Sequence, residues 1–149
     1  MNDASLTAIQ TGAFVIVGGA SLRFLAREAA PVARSILAAG LAAGTCMHVV
    51  ALLEHGLVGS PDQPVAFNAF WASLTLLDPL GALLLNVRPR AGILLTLAIM
   101  LADVSVNVRA FGRVGLLSSA SWHLWFQIVF ALYALGVAPR IWASGAAAR

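Results

Sequence analysis

AFNAFWASLTLLDPLGALLLNVRPRAGILLTLAIMLADVSVNVRA, residues 66–110, consists of two apolar runs on either side of a short polar break at Arg88, Pro89 and Arg90. Each run is close to the roughly 20 residues that a helix needs to cross the hydrocarbon core of a bilayer. The proline in the break ends one helix and starts the next. The pair therefore reads as a helical hairpin through a membrane, its two helices antiparallel neighbours. Only two charged side chains lie well inside the runs, Asp78 and Asp103.

The rest of the chain repeats this pattern. Three further apolar segments cover residues 5–25, 35–55 and 118–141, beside 66–87 and 91–110 within the opening stretch. The expected fold is an all-α polytopic membrane bundle of five transmembrane helices, forming one domain over 1–149. The first segment is the least apolar, with Thr7, Gln10 and Thr11 at its start and Gly18 and Gly19 at its centre. If it lies in the interface, four spans remain beside an interfacial N-terminal helix. MNDASLTAIQ has no basic region ahead of that segment, so the first helix is expected to act as its own insertion signal.

Composition agrees. The 149 residues are 60% hydrophobic and 10% charged, with a mean hydropathy of +0.90. A soluble domain carries about 25% charged residues. A soluble chain this short also leaves much of its surface in water, where so many apolar groups could not be hidden. The net charge of +3 does not indicate nucleic-acid binding, because the arginines flank apolar runs and form no basic face. Cys46 is the one cysteine, so no internal disulfide or CxxC chemistry is available. All nine basic residues are arginine. With the abundance of alanine and leucine, that suggests a GC-rich bacterial genome and the cytoplasmic (inner) membrane.

Orientation follows from the arginines, which favour the cytoplasmic side. Arg23, Arg27, Arg34, Arg88, Arg90, Arg140 and Arg149 fall on one side of a five-span chain, Arg109 and Arg113 on the other. The C-terminus is expected inside, and the N-terminus and the HGLVGSPDQPV loop outside. Dropping the first span leaves the other loops where they are. Trp71, Trp122 and Trp125 then fall near the outer interface and Trp142 near the inner one, as aromatic belts do.

Charged groups near the bilayer centre cost about 2.5–3.5 kcal/mol on insertion scales, so those present mark candidate sites. Asp78 and Asp103 are separated by about 6 Å in depth at 1.5 Å of rise per residue. Two carboxylates that close would not both ionise easily. His48 lies at similar or slightly outer depth. Asn107 is one turn beyond Asp103, and His123 and Gln127 are i, i+4 partners. If these stripes converge, His48, Asp78, Asp103, Asn107, His123 and Gln127 form a polar pocket open to the outside. Each also has a structural reading. Asp78 precedes Pro79, which leaves the Thr75 carbonyl without its helical donor; Asp103 and Asn107 serve equally well as interhelical glue. Two histidines with carboxylates are acceptable metal ligands, but no HxxxH or ExxH pair is present, and no metal or other cofactor is assigned. Gly40 and Gly44 form a GxxxG pattern, which suits close packing within the bundle or in a homodimer.

Three functions fit these residues. The pocket binds or conducts a small cation, a proton or an amphiphile. The chain is an accessory subunit whose polar groups hold helices together or meet a membrane partner protein. Or a His–carboxylate pair performs acid–base chemistry on a lipid-like substrate. The enzyme reading is the weakest, since it rests on analogy at the level of fold; no nucleotide-binding or other energy-coupling motif is visible, so ATP-driven function is not expected. The bilayer itself is the one certain environment.

Overall fold

The computed structural model describes residues 29–56, 59–111 and 122–145. These form four helices: α1, Ala30–His55; α2, Val65–Val87; α3, Pro89–Phe111; and α4, Trp122–Ser144. All four are long and apolar enough to cross a membrane, with mean hydropathies of 1.4 to 2.0 over their best windows. The chain is an all-helical bundle of candidate membrane spans. Four of the five expected spans lie among the described residues; the remaining segment, 5–25, lies outside them.

α1 starts five residues earlier than the apolar run suggests. Pro31 sits in its first turn, where no intrahelical N–H is required. Ala33 and Leu37 are already fully buried there. Arg34, read from sequence as a loop residue, therefore belongs to the helix, since its long stem can follow an apolar surface while the head reaches polar surroundings. At the other end, Gly56 takes φ 68°, and its N–H donates to the Leu52 carbonyl at 2.8 Å. That left-handed geometry suits glycine. α2 runs unbroken through Pro79, which faces outward. A single residue, Arg88, separates α2 from α3.

Each helix packs on its neighbours in sequence, and α4 closes the ring against α1. Residue pairs along α1 and α2 show the antiparallel register: Leu41 meets Gly81, and Gly44 meets Asp78. The outer surface is apolar, with Leu53, Val65 and Leu76 each at least 74% exposed. In lipid such residues carry no penalty, and helices associate through close van der Waals fit and internal polar contacts. The GxxxG glycines supply part of that fit inside the chain. A Cβ at Gly40 would collide with the Phe130 ring of α4, and one at Gly44 would stand 2.8 Å from Asp78 Oδ2. Both glycines are therefore occupied by intramolecular packing.

The interior divides by depth. At the end holding the α1 and α3 N-termini, Ala33, Leu37, Leu85, Ile93, Val137 and Ile141 are all 0–1% exposed and form a dry apolar plug. Thr96 is buried just above it, and its hydroxyl donates to the Gly92 carbonyl in its own helix. Of the other buried polar residues, Asn68, Asp103 and Asn107 lie in the opposite half, towards the α1–α2 loop, and Asp78 lies near mid-depth.

Candidate functional site: a polar cavity at one end of the bundle

The inner stripes of the helices carry the polar groups into the bundle. On α1 the stripe Ala33, Leu37, Leu41 continues through Gly44 to His48, and on α2 Asn68 and Leu74 lead to Asp78 and Gly81. On α3, Thr96, Asp103 and Asn107 share the buried face. Helical spacing thus puts both carboxylates inside, and Asp78 and Asp103 are each only 3% exposed.

Asp78 meets α1. Its Oδ2 lies 3.9 Å from His48 Nε2, within ion-pair range but beyond hydrogen-bond length. Gly44, one turn deeper than His48, leaves the room this carboxylate occupies. Asp78 Oδ1 is buried with no hydrogen-bond partner among the described residues. Such atoms are uncommon in native interiors and call for an explanation, strain or a functional role among them.

Asp103 has a different environment. Its Oδ1 accepts a hydrogen bond from Asn107 Nδ2 at 2.8 Å, and the same amide nitrogen donates to Gln127 Oε1 of α4 at 2.9 Å. The carboxylate, carboxamide and second carboxamide form a chain that ties α3 to α4.

Above these groups a cavity of about 260 Å³ lies between the helices at the α1–α2 loop end. His48, Asn107 and Gln127 line it with Asn68, Trp71, His55 and the small residues Ala51 and Ala72. Asp78 and Asp103 do not line the cavity. They sit about one helical turn further in, behind His48 and Asn107, given a rise of 1.5 Å per residue and their contacts with those two. His123 is placed elsewhere: it is exposed on α4 and does not line the cavity. The helical phase explains this. Leu124 takes the buried position beside it, and Gln127 takes the inward polar one.

The loop residues of this site were not legible as such. Asn68 Nδ2 donates to the Ser60 carbonyl at 2.8 Å, holding the loop against the start of α2. Gly59, with φ 72°, passes so close to Asn68 that any side chain there would collide with it. The glycine and proline content of HGLVGSPDQPV marked a turn, but a turn's composition does not say where it folds back. Trp71 belongs to the cavity wall as well as to the interface, and its ring meets Phe67 edge-on with centroids 6.2 Å apart. Among the described residues no group of three or more His, Cys, Asp or Glu side chains is placed to hold a metal ion.

Comparison of the chain with protein-family models, curated proteins and solved structures gives no match.

Proposed function

We propose that this is a membrane protein whose loop-side half forms a one-sided polar pocket for a small cation, a proton or an amphiphile. The observation that carries the reading is His48, which lines the cavity and pairs at 3.9 Å with the buried Asp78 behind it. A carboxylate in low dielectric attracts positive charge more strongly than one in water. Its second oxygen, Oδ1, is buried and accepts nothing from the described residues, so the charge behind the cavity wall is only partly satisfied. The cavity wall is mixed, with the Trp71 ring and Leu52 beside the amides, which suits an amphiphile as well as an ion. The apolar plug favours binding over conduction. Among the described residues the path inward from Asp78 meets the Thr96 hydroxyl, which is spent on the Gly92 carbonyl, and then only the apolar Leu37, Leu85, Ile93 and Val137.

The reading is tested by cysteine accessibility in a Cys46→Ser background. Ala51→Cys and Ala72→Cys, on the cavity wall, should react with a membrane-impermeant thiol reagent added on the loop side. Leu37→Cys and Val137→Cys, in the plug, should stay unreactive from both sides. Reaction at the plug positions would convert the pocket into a pore, and silence at Ala72→Cys would remove the pocket.

A second reading, that of an accessory subunit, is supported by one specific contact set. Asp103, Asn107 and Gln127 satisfy one another across α3 and α4, as interhelical glue would. In both readings the arginine distribution supports a bacterial inner-membrane protein of five spans, with the C-terminus and the apolar plug on the cytoplasmic side. Reporter fusions after Arg149 should be active in the cytoplasm, and fusions in the α1–α2 loop should be active outside. Asn2→Cys should label from outside. Labelling of Asn2→Cys only from within would leave four spans.

A further inference from the structure

The end of the bundle opposite the cavity carries Arg34, Arg88, Arg90 and Arg140, and no acidic side chain among the described residues. Arg90 is engaged: its Nε donates to the Trp142 carbonyl at 3.2 Å, and its guanidinium lies 5.2 Å from the centre of the Trp142 ring. Arg34 is not. It is half-buried near the start of α1, and its Nε is inaccessible yet has no hydrogen-bond partner among the described residues. A buried donor without an acceptor costs free energy, more so when it belongs to a charged group.

The helix register adds a second charge at the same level. Leu41 faces Gly81 and Gly44 faces Asp78 across α1 and α2; continuing those antiparallel pairs brings Arg34 level with Arg88. Two cations at one level on neighbouring helices favour an anion near both. Glu28, the nearest acid in sequence, lies outside the described residues. The surroundings indicate which anion suits. Leu83 and Val87 are 57% and 62% exposed on α2, on the membrane-centre side of Arg88. Such a surface takes hydrocarbon chains, which a free phosphate ion lacks.

We infer that Arg34 and Arg88 form a binding site for the headgroup of an anionic phospholipid, whose acyl chains lie against Leu83 and Val87. The planar guanidinium fork of Arg34 matches phosphate oxygens in a way that an ammonium cannot. The anionic inner leaflet supplies such headgroups at the depth where helix ends meet water. This site is independent of the cavity and of whatever binds there, and rests on the proposed orientation with the plug end at the cytoplasmic leaflet.

The test uses the full chain in neutral detergent, titrated with phosphatidylglycerol, with phosphatidylcholine or with inorganic phosphate. Phosphatidylglycerol should raise the unfolding midpoint by roughly 5 °C, by preferential binding to the folded state. Phosphatidylcholine and inorganic phosphate should not. Arg88→Gln, at an exposed position that does not threaten folding, should lose most of the shift, and Arg34→Gln should do the same. Arg140→Gln removes one positive charge from the same end and should keep it. An equal loss in Arg140→Gln would mean diffuse charge attraction and overturn the site. A shift of the same size with phosphatidylcholine or with inorganic phosphate would overturn the anionic-lipid assignment.

Discussion

Gly92→Ala should destabilise the bundle by about 3 kcal/mol, the upper part of the usual range for forcing extra volume into a packed interior. Gly92 is buried in the first turn of α3, directly against the backbone of Leu84 and Leu85 at the end of α2. A Cβ there meets main-chain atoms, which cannot swing aside as a side chain does. The one-residue connection through Arg88 leaves no slack for the helices to separate. The measurement is reversible unfolding in detergent, with Gly136→Ala as control. Gly136 lies in α4, and a methyl group added there would have no neighbour within 4 Å, so its alanine variant should be near neutral or slightly stabilising through helix propensity. Equal behaviour of the two variants would mean that α2 and α3 do not approach each other this closely. The position matters beyond stability, because the same hairpin sets the relative depth of Asp78 and Asp103.

The second large effect concerns Asp78→Asn. The amide has nearly the shape of the acid, so the fold should survive, and binding should not. With a simple alkylammonium ion as probe, protection of Ala72→Cys from modification should require roughly 10- to 100-fold more ion in the Asp78→Asn protein. That range corresponds to losing about 1.4–2.7 kcal/mol of attraction from a buried negative charge one helical turn behind the cavity wall. Asp103→Asn should have a smaller effect, because Asn107 already occupies one oxygen of that carboxylate. Unchanged protection in Asp78→Asn would assign Asp78 a purely structural role and leave the accessory-subunit reading. A collapsed fold in that variant would point the same way, since a carboxylate kept for binding is not needed for packing.

The two carboxylates show how far the sequence could be read. Their exceptional position in apolar runs was visible directly, because burying charge in a membrane is costly enough that composition alone singles them out. Their different environments were not visible. Asp103 and Asn107 are four residues apart on one helix, so their contact follows from local geometry. Asp78 meets His48 only because α1 and α2 align across thirty residues, and because Gly44 leaves space at that level. His123 illustrates the opposite case. Its spacing to Gln127 suggested a shared face, yet only Gln127 turns inward, since a four-residue step still rotates about 40° around a helix with 3.6 residues per turn and the packing of α4 selects which of the two is buried.

By itself, then, the sequence determined the helical class, the existence of the four candidate spans that are α1 to α4, though not their exact ends, and the two acids within them. Each of these depends on hydropathy summed along a single segment, which needs no knowledge of its neighbours. The tertiary structure alone decided that Gly40 and Gly44 serve packing inside the chain, that an apolar plug closes the interior below the polar groups, and that Arg34 belongs to α1. These depend on register and rotation between helices. In lipid, where apolar surface gives no preference for one helix face over another, only close fit and polar contact choose them.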